Sequence, residues 1–281
     1  MEKARKNIFE QLSGNFDTAH EIKLIWDLFT NKIYVRVNNN MSILDCVDTY
    51  SFKNWKSRGR CASPQDMMGR LGIDARMSVV PDKSSGKMFV ILEFILNMIK
   101  RCDIILKNRL YFASANYKIL KENINLFLEH FGHTTHYFED DEQVIIIEKE
   151  PAAISAAEIS EPEIAKRIIQ YNHYALKGDI ETKKDILLAL ANEIEPKRED
   201  LKHINGFFES DLFFMFNNLN LRHNNIDPND KNYKPFIAGM NKNDLELLYD
   251  DTYQIILLAK LLLDNKERKN RIETLKRNLE V

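Results

Sequence analysis

The chain predicts a mostly helical protein, and three observations carry that prediction. Glycine and proline number only 9 and 7 in 281 residues, too few breakers for short strands joined by tight turns. Apolar residues recur at spacings of three and four over long stretches, the period of helices buried on one face. Only one stretch, near the middle, changes to paired extended runs.

The elements follow in order. FDTAHEIKLIWDLF places Ile22, Ile25, Trp26 and Phe29 on one helical face. Residues 38–87 are mixed, with short helices expected between Asn, Pro and Ser-Gly punctuation. Residues 88–106 read as a buried helix, with Met88, Ile91, Leu92, Ile95, Leu96 and Ile99 inward. A further helix over 114–131 stops at Gly132, the residue type favoured after a helix end. HYFEDDEQVIIIEKE then gives two extended runs around the acidic turn 139–142, a small hairpin. Pro151 and the alanine-rich AAISAAEIS mark a boundary between domains 1–151 and 152–281.

Beyond Pro162 the pattern is wholly helical. EIAKRIIQYNHYAL sets Ile164, Ile168, Tyr171 and Ala175 on one stripe; Gly178-Asp179 breaks it, with Asp179 as the next N-cap. KKDILLALANEI is a second helix. Pro196 opens a third at its first turn, carrying Leu201, Ile204, Phe208, Leu212 and Met215 on one face as far as Leu219. After a long loop, DLELLYDDTYQIILLAKLLL is the fourth. Four such helices predict an antiparallel four-helix bundle. The tail NKERKNRIETLKRNLEV is a charged helix, either a solvated face or a surface for a partner or RNA.

Composition narrows the function. Lys and Arg number 40 against 42 Asp and Glu, a net charge of −2, so the chain as a whole does not attract nucleic acid. Any such contact needs a local patch. Cys46, Cys61 and Cys102 are irregularly spaced, neither a disulfide framework nor a CxxC metal site. A reduced cytoplasm is expected. MEKARKNIFEQLSGNFD lacks an apolar signal core, and no apolar run reaches the roughly 18–20 residues of a membrane span.

Three motifs carry candidate chemistry. His130, His133 and His136 form HxxHxxH, but Gly132 interrupts the helix and no fourth ligand is evident, so neither a metal nor a cofactor is expected. YSFKNWKSRGR interleaves Tyr50, Phe52 and Trp55 with Lys53, Lys56, Arg58 and Arg60. Trp55 and the four cations are candidates for stacking on bases and holding phosphates; the alternative is a loop anchored by its aromatics. A DNA-binding regulator built on this loop is one consequence. NLNLRHNN places Arg222, His223, Asn224 and Asn225 after a long apolar helix. Asparagines end helices, so the group is a structural cap. Alternatively, Arg222 supplies a fork for phosphate and His223 a proton-transfer group near neutrality.

With these residues in view, the second half resembles HEPN domains, four-helix bundles whose catalytic members hold a metal-independent ribonuclease site at a dimer interface. In that family an Arg is followed by a polar residue and, a few positions on, by a His. The likeness covers roughly 160–265 and rests on NLNLRHNN after a long helix and on LYDDTYQIILLAKLLL beyond it. With its helical first half, the chain resembles AbiJ-type abortive-infection proteins of bacterial phage defence. The resemblance implies an endoribonuclease that arrests growth, with RNA as substrate, a homodimer and a phage protein as trigger. Arg222 would stabilise phosphate charge, His223 act as acid or base, and Asn224 and Asn225 orient them. The sequence departs from the family where the later His belongs, since IDPND contains none. The alternative is a non-catalytic HEPN-like sensor or binding module for nucleic acid or a phage protein.

Overall fold

The computed structural model describes residues 16–36, 39–74, 76, 86–107 and 114–279. It is mostly helical, with small two-stranded antiparallel pairing, and divides into two compact units, Met1–Ile146 and Ile147–Val281.

In the first unit, α1 (Thr18–Thr30) begins where the Asp17 carboxylate accepts from the Ala19 and His20 amides, and it buries Ile22, Ile25, Trp26 and Phe29 as its period predicts. A ladder of β1 (Ile33–Arg36) with β2 (Asn39–Met41) follows. It was not expected, because runs of three and four residues are too short for a two-residue period to stand out. α2 (Ile43–Tyr50) opens on a Ser42–Asp45 capping box, and α3 (Pro64–Arg70) on Ser63 with Pro64 in its first turn.

α4 (Lys87–Leu106) is the central helix of this unit; Met88, Ile91, Leu92, Ile95 and Ile99 are buried, while Leu96 is half-buried. α5 (Ala115–His130) ends ahead of Gly132, whose φ of 71° is the left-handed conformation that stops the helix. β3 (His133–Phe138) and β4 (Gln143–Glu148) then pair. The buried Asn97 of α4 acts as a substitute strand neighbour for β4: its amide donates to the Val144 carbonyl at 2.7 Å and accepts from the Val144 N–H at 2.9 Å.

The division between units falls between Ile146 and Ile147, inside the second strand of the hairpin. Ile147 already bridges to His173, and the Glu148 N–H donates to the Asn172 carbonyl at 2.8 Å. The alanine-rich segment is itself a helix, α6 (Pro151–Glu158), with Ala153 and Ala156 buried in the second core.

The second unit continues with α7 (Pro162–Tyr171), α8 (Ile180–Ile194), α9 (Arg198–Ile204), α10 (Gly206–Asn218), α11 (Pro235–Ala238) and α12 (Lys242–Leu279). Ile168, Leu187, Leu190, Leu212, Phe216 and Tyr253 sit at its centre. Ala175, expected on the α7 stripe, is exposed because α7 stops at Tyr171.

The expected third helix is two. Asn205 takes φ −160°, ψ 103°, and its side chain accepts from the Phe208 N–H at 3.1 Å, so a helix ends and another starts there. The break rotates the buried face. Leu201 and Leu212 are buried as expected, but Phe208 and Met215 are only partly so, Ile204 is exposed, and Phe213 and Phe216 fill the interior. α12 is one 38-residue helix that runs through the charged tail without interruption. Among the described residues, no helix is long and apolar enough to cross a membrane.

Candidate functional site

The turn after α10 is built around Asn225. Its side chain accepts from the Asn220 N–H and donates to the Asn232 carbonyl, both at 2.8 Å, and its own carbonyl accepts from the Lys234 N–H. Asn225 is fully buried, and Asn220 takes φ 56°, a left-handed conformation that asparagine tolerates. Leu219 and Leu221 point into the core on either side. Asn225 is therefore the peg that closes this loop, with no free polar group to orient a reacting partner.

Arg222 is drawn inward by the same turn. Its guanidinium pairs with Glu195 and donates to the Ala191 carbonyl at 3.4 Å, and it lies 5.1 Å from the Phe216 ring centroid and 5.4 Å from that of Phe213. Only 14% of its side chain is exposed, against 45% for Glu195. Burial pulls its pKa below the ordinary arginine value, although a guanidinium stays charged at any physiological pH. His223 and Asn224, the next two residues, are exposed. The turn thus sends Arg222 inward and His223 outward, and the two do not converge.

Arg198, which the sequence reading did not single out, shares this environment. It pairs with the buried Glu209 at 2.5 Å and lies 4.3 Å from the Phe213 ring centroid. Arg198, Glu199 and His203 reproduce an Arg-polar-His order, a signal that was available in REDLKH. On α9, however, five residues turn the helix by roughly 140°. His203 Nδ1 lies 2.6 Å from the Glu199 carbonyl. This pair diverges too.

The basic loop of the first unit is anchored by its aromatics. Phe52 is buried, and Trp55 is only 4% exposed with its indole N–H donating to the Glu142 carbonyl at 2.8 Å. Trp55 has no free face for a base, which removes it as a stacking residue. Arg58 donates to the Lys53, Gly59 and Cys61 carbonyls and so braces its own loop. Lys53, Lys56 and Arg60 remain exposed.

The three histidines are engaged locally: His130 stacks on Phe16, His133 Nδ1 meets the Phe131 carbonyl, and burial lowers the pKa of His136. Among the described residues, no three His, Cys, Asp or Glu side chains group to hold a metal ion.

The second unit also contains a cleft of about 580 Å³ that the sequence reading did not foresee. On its wall Lys183, itself buried, donates to Glu246 and Asp250 at 2.7 Å each, and Tyr171 donates to Asp250 at 2.9 Å. Burial disfavours the charged Glu246, yet the Gly178 N–H and the Lys183 ammonium outweigh it and hold the carboxyl below its usual range. These groups are one residue of α8, two of α12 and one of α7, so the network ties three helices together. Comparison with known proteins finds no matching family model, no matching curated protein and no matching solved structure.

Proposed function

We propose that the chain is an abortive-infection protein of bacterial phage defence whose second unit, a HEPN-like four-helix bundle, recognises a partner and does not cut RNA. The observation that carries this reading is the commitment of Arg222 to Glu195, Phe213 and Phe216 while His223 faces solvent. Acid–base cleavage requires both groups at one phosphate. The second unit instead offers exposed aromatic surface. Phe207 and Phe214, two turns apart on α10, are 88% and 64% exposed, and Phe236 on α11 is 79% exposed. Phe207 and Phe214 share one face of α10, and an exposed aromatic pair of this kind suits a protein partner, since aromatics are enriched at protein interfaces. The partner is therefore a protein, in this setting the phage component that triggers defence.

The ribonuclease reading, with growth arrest as its outcome and a composite site between two copies, keeps one observation in its favour. Glu195 is nearly half exposed, so a phosphate has access to compete for Arg222.

Phage challenge of bacteria expressing the chain separates the two. Recognition predicts that His223→Ala and Asn224→Ala protect like the wild type, whereas Phe207→Ser with Phe214→Ser abolishes protection at unchanged protein level. Loss of protection by His223→Ala, with the phenylalanine variant intact, would establish the nuclease instead.

A further inference from the structure

The distal part of α12 carries a heptad seam. Leu258, Leu261, Asn265, Arg268, Ile272, Leu275 and Leu279 follow one another at alternating spacings of three and four, the a and d positions of a coiled coil. Most of the seam is exposed: Leu258, Ile272, Leu275 and Leu279 keep 47%, 51%, 56% and 77% of their surface, while Leu261 is half-buried. At 100° per residue, Ile272, Leu275 and Leu279 fall within about 60° of the helix circumference. Over the whole seam the positions keep to one face through the alternation of three and four, which is the repeat of a helix–helix contact. The fitting occupant is another helix.

We propose that this seam pairs antiparallel with the same seam of a second copy of the chain, an association independent of what the α10 phenylalanines bind. A two-fold interface must be self-complementary, and the antiparallel register is. It sets Leu258 of one copy opposite Leu275 of the other, Leu261 opposite Ile272, and Asn265 opposite Arg268, each layer repeated across the axis. The flanking g positions, Asp264 and Arg271, then face each other with opposite charge, twice. Arg268, the one cation inside the seam, is already neutralised by Asp264 one turn before it. A parallel pair does worse. Its rim contacts offset each other, Asp264 beside Lys269 attracting and Arg271 beside Lys276 repelling, but it sets Arg268 against Arg268 inside the seam, and that like-charge layer opposes pairing. Asn265 at an a position fits a seam that sacrifices some affinity to fix its register.

The test is sedimentation equilibrium of the full chain across a concentration series, with circular dichroism as the fold control. The expected result is a monomer–dimer equilibrium in the micromolar range. Ile272→Asp and Leu275→Asp, at exposed positions, should each weaken it at least tenfold with unchanged melting, and Arg271→Glu should weaken it less. Orientation is read by oxidative cross-linking. Chains carrying Leu261→Cys should link to chains carrying Ile272→Cys, whereas Ile272→Cys chains alone should not link to each other. A strictly monomeric wild type, a dimer indifferent to Ile272→Asp, or efficient self-linking of Ile272→Cys chains would each overturn the proposal.

Discussion

Asn224 and Asn225 are neighbours of identical chemistry with opposite roles. Asn224 is exposed, whereas the Asn225 amide serves the Asn220 N–H and the Asn232 carbonyl inside the protein. Removing a buried partner leaves those groups unsatisfied, at about 1–3 kcal/mol for each. Asn225→Ala should therefore lower stability by about 2–3 kcal/mol in denaturant titration, and Asn224→Ala should change it by less than about 0.5 kcal/mol. Equal effects would place the peg elsewhere. The sequence could show that asparagines end α10, but which asparagine turns inward depends on the left-handed Asn220, a tertiary outcome with no local signal. Arg222 is similar. Its flanking leucines made partial burial legible, while its partner Glu195 lies two helices back in sequence, ahead of α9 and α10.

Titration adds a second residue-scale test. The Glu246 carboxyl is held below its usual range despite burial, and so is Glu193, where Lys197 and Lys260 outweigh desolvation. A depressed folded-state pKa contributes stability that is fully present above the unfolded value, near 4.3, and is lost as pH falls through the folded value. The melting temperature should hold from neutrality to about pH 5 and then fall as pH drops through and below the ordinary carboxylate range. Lys183→Met should shrink the acid-dependent part of that fall. It should also cost about 2–4 kcal/mol at neutral pH, less than a fully buried pair because Asp250 is 46% exposed.

At the scale of elements, the long, strongly periodic helices were the most legible. α1, α4, α5, α8 and the first half of α12 lie where spacing placed them, because each buries one continuous stripe. The misplaced features are those decided by one or two residues: the β1–β2 ladder, and the Asn205 break that turns one expected helix into α9 and α10. That break moved the buried face from Phe208 toward Phe213 and Phe216. Leu212→Ala should thus cost about 2–5 kcal/mol as a core truncation, whereas Phe214→Ala, on the exposed side of the same helix, should leave the melting temperature within a degree or two. A large loss at Phe214 would mean that its ring is buried in the folded protein.

At the scale of the whole molecule, two compact units each close around their own core, and the candidate residues are divided between them. The basic loop belongs to the first and the Arg222 turn to the second, so neither motif completes the other within one unit. The central claim is that Arg222 and His223 stabilise and border a turn and perform no phosphoester chemistry. The most direct measurement incubates the purified chain with structured and single-stranded RNA in EDTA, at concentrations spanning the dimer equilibrium, and analyses the ends of any product. Attack by a ribose 2′-hydroxyl would leave a 2′,3′-cyclic phosphate, and DNA, lacking that hydroxyl, would survive. The account predicts intact RNA at every concentration. Cleavage with cyclic-phosphate ends, lost in His223→Ala protein that melts like the wild type, would contradict it.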